Sequence, residues 1–99
     1  MKLELAARAK REAIRHDGWW RTHREVSPDL FERELFRTLE QIETAPRSGT
    51  PYTTAKSGRE YRRVLMPATR YYIYYRILGP DHVRVDAIWS AVRGKGPAL

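Results

Sequence analysis

Between Tyr61 and Arg76 the chain reads YRRVLMPATRYYIYYR, placing five of its six tyrosines and four arginines within sixteen residues. Arginine holds phosphates and carboxylates bidentately, and tyrosine stacks on bases or packs against apolar anchors. One chemistry open to this set is metal-free RNA cleavage. Arginine would hold the scissile phosphate while a tyrosine or lysine of lowered pKa removed the 2′-hydroxyl proton. The same residues serve plain binding, and binding is the reading favoured from residue types alone. Other chemistries lack their parts. Cysteine is absent, and His16, His23 and His82 are scattered without metal-motif spacing, so neither a metal nor another cofactor is expected. No G-x-S-x-G elbow or phosphate-binding glycine loop occurs, and residues 46–99 hold only Glu60, Asp81 and Asp86 as carboxylates.

Strand alternation sorts the dense segment by face. In residues 71–78, Tyr71, Ile73, Tyr75 and Ile77 share one side and read as core. Tyr72, Tyr74 and Arg76 share the other. That second side is too aromatic for an idle solvated face and too polar for a second core, so it suits a face covered by a partner.

The elements that must position this surface follow from periodicity. Lys2–Leu5 alternates as a short strand. From Ala7 to Arg24, Ala9, Ala13 and Trp20 form a modest helical stripe weakened by Gly18. Ser27-Pro28-Asp29 predicts the start of a second helix, with serine as N-cap and proline at the first position. Phe31, Leu35, Leu39 and Ile42 supply its apolar face, and Pro46 ends it. Residues 46–58 read as a loop. Strands are predicted at Tyr61–Met66, Arg70–Leu78 and Val83–Trp89, joined by short turns into an antiparallel meander. In the last strand Val83, Val85, Ala87 and Trp89 are expected on one buried face. The reading is one α+β domain over residues 1–99, with a two-helix antiparallel hairpin (about 7–45) packed on the sheet (about 59–90) and a basic tail (91–99).

Charge is divided unevenly. Residues 1–45 carry nine Lys/Arg against nine Asp/Glu, and residues 46–99 carry ten against three, so the whole net charge of +7 lies with the tyrosines. This concentrates a positive field on the sheet and tail and points to an acidic partner, nucleic acid or an acidic protein segment. The opening MKLELAARAKREAIRHDGWW has no apolar run of signal-peptide length and no stretch approaches a membrane span, so a soluble cytoplasmic protein is expected.

The order of elements together with particular residues resembles the RelE/ParE superfamily of bacterial type II toxin–antitoxin toxins. The residues are Trp19-Trp20, Leu30-Phe31-x-x-Glu34-Leu35, Ala45-Pro46-x-x-Gly49, Tyr61-Arg62-Arg63-Val64-Leu65, Arg70 to Arg76, and Ile88-Trp89-x-x-x-Arg93-Gly94-x-Gly96-Pro97. The resemblance implies a cognate antitoxin, ParD-like, which wraps an extended or helical acidic segment around the toxin in a hetero-oligomer. RelE-like members cleave mRNA at the ribosomal A site with lysines, arginines and a tyrosine near the C-terminus. Arg62 and Arg93 match two basic positions of that pattern. Val64 and Tyr72 stand where a lysine and an arginine are expected, and the tail GKGPAL has no tyrosine. The chain is therefore more similar to the ParE branch, whose characterised members inhibit DNA gyrase by binding. The expected antitoxin- or target-binding residues are Arg62, Tyr72, Tyr74, Arg76, Trp89, Arg93 and Lys95. No catalytic residue is expected unless the chain is a nuclease, in which case Arg62 and Arg93 are the candidates. The alternatives are a RelE-like mRNA endoribonuclease and a non-toxic nucleic-acid or protein-binding module of the same fold.

Overall fold

A computed structural model describes residues 2–99. Strand β1 (Lys2–Leu5) leads into helices α1 (Ala7–His23) and α2 (Leu30–Thr44), a 3-10 turn at Pro46–Ser48, and strands β2 (Thr50–Thr53), β3 (Glu60–Met66), β4 (Tyr71–Gly79) and β5 (His82–Ser90). The sheet order is β1-β5-β4-β3-β2; β2 to β5 form an antiparallel meander, and β1 runs parallel to β5. This is the α+β architecture expected from periodicity. Among the described residues, no helix is long and apolar enough to cross a membrane.

The core lies between the helices and one face of the sheet. Ala9 and Trp20 of α1 and Phe31, Leu35 and Ile42 of α2 are buried against Met66, Tyr71, Ile73, Tyr75, Val83, Val85 and Ile88. Each fully buried large apolar side chain contributes about 1.5–3 kcal/mol relative to exposure. The second helix begins later than its sequence suggests. Ser27 and Pro28 belong to a turn in which the Ser27 carbonyl accepts from Leu30 N–H at 3.2 Å. Asp29 takes the cap position without a side-chain cap bond and pairs instead with Arg33 at 3.1 Å. An Arg21–Glu32 ion pair at 3.3 Å holds the start of α2 beside the end of α1.

One inserted residue in β5 changes which side chains share a face. The register with β4 steps from Tyr75↔Val85 to Tyr74↔Ala87, leaving Asp86 as the extra residue of a β-bulge. Val83 and Val85 therefore face the helices, whereas Ala87 and Trp89 turn to the opposite face and Ile88 takes their place in the core. The expected single stripe of Val83, Val85, Ala87 and Trp89 is thus split at Asp86, although Ala87 remains fully buried.

Beyond Val85 the short strand β1 no longer covers the edge of β5, and α1 takes over. Ile88 N–H donates to Glu12 Oε1 at 2.8 Å, and Ile88 C=O accepts from His16 Nε2 at 2.9 Å. A carbonyl only accepts, so His16 carries its proton on Nε2. Two side chains one helical turn apart satisfy both edge groups of the strand. Burial, the largest influence, lowers the His16 pKa below its ordinary value; the Ile88 bond opposes it.

Glu34 does the same for the β3–β4 turn. It is 5% exposed and accepts from Ala68 N–H (2.8 Å), Thr69 N–H (2.9 Å) and Thr69 Oγ1–H (2.6 Å), tying the turn to α2. Arg70, which closes that turn, sits in the left-handed region at φ 67°. This conformation costs a non-glycine residue about 1–2 kcal/mol.

The segment expected to be a loop contains β2. Thr50–Thr53 pairs with β3 from Thr50↔Arg63 to Thr53↔Glu60 at the sheet edge, where Pro51 is tolerated because an edge strand leaves half its N–H groups unpaired. The Tyr75 hydroxyl donates to Pro46 C=O at 2.7 Å and accepts from Gly49 N–H at 3.0 Å, fixing the chain as it enters β2. A Cβ on Gly49 would collide with that hydroxyl, so glycine is required there.

Candidate functional site

One end of the outer face of the sheet, away from the helices, gathers five of the seven expected site residues. Tyr72, Tyr74, Trp89, Arg93 and Lys95, joined by Arg63, line a depression of about 160 Å³ where β3, β4 and the end of β5 meet the C-terminal tail. The strand pairing explains the convergence: Arg63↔Tyr74 and Tyr72↔Trp89 are cross-strand partners, and the bulge at Asp86 turns Trp89 to this side.

Arg63 is the centre of the cluster, and sequence reasoning missed it. Its guanidinium lies 4.2 Å from the Tyr72 ring, 5.0 Å from Tyr52 and 6.0 Å from Tyr74, and donates to the Tyr74 hydroxyl at 3.3 Å. The signal was available, because Arg63 alternates with Arg62 and must take the opposite face. Tyr74 is 1% exposed, enclosed by Arg63, Tyr72 and an edge-on Tyr52 ring at 5.0 Å. It supports the surface from beneath, and Tyr72 offers the accessible ring. Burial pushes the Tyr74 phenol above its ordinary pKa despite the Arg63 bond, the opposite of what a general base needs.

The tail is held rather than loose. Trp89 Nε1–H donates to the Lys95 carbonyl at 2.9 Å, and the Arg93 guanidinium lies 4.5 Å over the Trp89 ring. Pro97 is buried, and Gly96 passes so close to the Tyr52 hydroxyl that a Cβ there would stand 2.8 Å from it.

Two expected residues lie elsewhere. Arg62 pairs across the strands with Tyr75 on the helix-side face and donates to the Arg47 and Gly49 carbonyls at 3.2 and 2.8 Å. Arg76 is on the outer face, but Asp86 holds it at 2.9 Å, and Asp86 also holds Arg84 at 3.2 Å. Both are occupied in building the fold. Arg62 and Arg93, the pair a nuclease would use, are not brought together: Arg62 lines a pocket with Arg47, Glu60 and Ile77, and Arg93 lies beside Trp89 beyond the end of β5. Among the described residues no group of three or more His, Asp or Glu is arranged to hold a metal.

The whole arrangement, from Leu3 to Arg93, matches the family described as ParE toxin of type II toxin-antitoxin system, parDE. The chain belongs to the ParE toxin family. A solved structure titled as the chromosomal ParDE TA system from P. aeruginosa shares the fold: TM-score 0.69 over 91% of this chain and 95% of the other, at 11% identity. No curated protein matches the sequence. The family match covers both helices and, but for Lys2, all five strands, and stops within the tail that closes the Trp89 cluster. Lys95 of this cluster therefore lies beyond the matched segment.

Proposed function

We propose that this protein is a growth-inhibiting toxin that acts by binding an essential macromolecule, DNA gyrase being the proposed target, and that a cognate antitoxin neutralises it. The observation carrying the binding reading is the separation of Arg62 and Arg93: Arg62 holds the Arg47 and Gly49 carbonyls beside one pocket, and Arg93 lies over Trp89 beside others. Neither pocket that Arg93 lines includes Arg62, so nothing seats one phosphate on both. The raised pKa of Tyr74 argues in the same direction. Gyrase as target rests on the likeness to the ParE branch. The Arg63–Tyr72–Trp89–Arg93 surface, an aromatic and cationic patch with buried support, is the proposed contact with the target.

The antitoxin is proposed to use the groove between the helices, where Ile14 is 75% and Phe36 61% exposed beside Ala13, Leu35 and Leu39. Apolar side chains at helical spacing on both walls suit the apolar face of an amphipathic partner helix. An acidic extension of that partner would then reach the positive sheet half.

Induction of the protein in growing cells tests this reading. The expected result is failure of chromosome topology and division with mRNA intact, relieved by co-expressing the small acidic protein encoded beside it. Codon-specific cuts at the ribosomal A site, abolished by Arg93→Ala, would overturn it in favour of the endoribonuclease. Ile14→Glu with Phe36→Glu is expected to keep toxicity and lose relief by the antitoxin.

A further inference from the structure

Behind Trp89 lies a second and larger cleft of about 530 Å³, between the later turns of α1, the β3–β4 turn and the end of β5. Four arginines line it: Arg15 from α1, Arg24 at its C-cap, Arg70 from the turn and Arg93 from the tail. No aspartate or glutamate does. Among the described residues none of these four guanidinium groups forms an ion pair, whereas Arg8, Arg21, Arg33, Arg76 and Arg84 are each matched with a carboxylate elsewhere. Glu34, behind Thr69, is already committed to three hydrogen bonds of the turn. The cleft therefore concentrates positive charge with nothing on the protein to balance it, an arrangement that an anion would relieve.

Three further features give the anion a chemical class. All three tryptophans of the chain line the cleft. The Arg24 guanidinium stands 5.3 Å from both the Trp19 and Trp20 rings, and Arg93 stands 4.5 Å from Trp89, so two of the cations are laid over indoles and their planar donor edges remain free. Arg70 is held in a left-handed conformation that glycine would adopt without strain, and its backbone bonds to Met66 and Ala91 need no side chain. The volume is that of a small-molecule site rather than of a flat protein contact. We infer that this cleft binds a nucleotide phosphate, with the forked guanidinium groups on the phosphate oxygens and the indole wall beside the base. The source is either a free nucleotide or the phosphorylated end of a single strand; both present the same group. The inference does not depend on the target or the antitoxin proposed above.

Because every tryptophan lines the cleft, intrinsic fluorescence reads it directly. The purified protein is titrated with adenosine triphosphate, with a 5′-phosphorylated single-stranded oligonucleotide, with unphosphorylated adenosine and with a polyglutamate peptide. The expected result is a saturable change with the two phosphorylated probes and none with adenosine, and a rise in melting temperature with the same probes. Tighter binding of the oligonucleotide would assign a strand end as the source, and equal or tighter binding of the nucleotide would assign the free ligand. Arg15→Ala with Arg70→Ala should weaken binding at least about tenfold, whereas Arg37→Ala, on α2 outside the cleft, should not. Arg70→Gly separates binding from folding: it is expected to melt no lower than the parent while still losing affinity. No saturation by either phosphorylated probe at millimolar concentration would overturn the inference. So would an equal loss in Arg37→Ala, or tighter binding of polyglutamate than of both phosphorylated probes, which would mark the cleft as a seat for an acidic protein.

Discussion

The outer face of the sheet carries two arginine and aromatic clusters built from the same strands, and they have opposite characters. Toward β1, Arg76 lies 5.5 Å from the Tyr61 ring and Arg84 stands beside it, both bound to the carboxylate of Asp86. Toward the tail, Arg63 and Arg93 lie over Tyr72 and Trp89 with no carboxylate lining their pocket. The first cluster is a closed internal network, and the second is a surface with unspent charge. A single acidic residue makes the difference, and it is the same residue whose insertion creates the bulge. Residue type therefore does not identify a binding arginine; the presence or absence of a counter-charge does.

The largest effect that bears on this comparison is expected from Asp86→Ala, which leaves two partly buried guanidinium groups unmatched. A loss of about 2–3 kcal/mol in chemical denaturation is expected. A loss below about 0.5 kcal/mol would show that the network is solvated and that the two clusters are alike. His16→Gln tests the edge of β5. The His16 pKa is lowered in the folded state, so the unfolded chain binds the proton more readily and stability declines as pH falls through and below about 6.5. The urea midpoint of the parent should drop between roughly pH 7 and 5, and glutamine, which still donates to Ile88, should flatten that drop. An unchanged slope would assign the decline to other groups. Tyr74→Phe should cost about 0.5–1.5 kcal/mol by freeing Arg63 from its hydroxyl partner. If Tyr74 only supports the surface, toxicity should fall less in this variant than in Tyr72→Ala, measured by growth after induction. The smallest effect on stability is expected from Arg93→Ala, within about 0.5 kcal/mol, although growth inhibition should be lost. A variant that is both markedly unstable and still toxic would place Arg93 in the closed kind of cluster.

Much of the fold was legible in the sequence, because alternation and helical spacing report directly on burial. The stripe Phe31, Leu35, Leu39, Ile42 and the strands from Tyr61 to Trp89 are where periodicity put them, within a residue or two. Three things escaped it for physical reasons. The strand Thr50–Thr53 is a four-residue edge containing Pro51, too short for a period to show. The bulge at Asp86 is a local backbone irregularity, and a parity rule carried through it inverts every later residue. Glu12, His16 and Glu34 are polar residues whose partners are backbone groups far along the chain, and side-chain type alone does not predict such bonds. Of the surface proposed for binding, five residues were named from the sequence, while Arg62 and Arg76 were not distinguishable from Arg63 without knowing what stands next to each. Segment charge had a similar blind spot. Residues 1–45 are neutral as a sum, yet Glu12, Asp17, Asp29 and Glu32 pair with Arg8, Arg21 and Arg33, and no carboxylate lines the cleft in which Arg15 and Arg24 join cations of the other half.

The way α1 closes the edge of β5 has a dynamic consequence. Most amides in a sheet exchange with solvent hydrogen when the strands separate, but the Ile88 amide is guarded by a glutamate of a helix. Its exchange is therefore gated by α1 lifting away, while the β4–β5 ladder stays intact. A partner that wedges between the helices would speed exchange at Ile88 before it disturbed Ile73 or Val85, and one that clamps α1 down would slow it. That one amide thus serves as a local gauge of strain on the helical layer, readable without a label and without unfolding the protein.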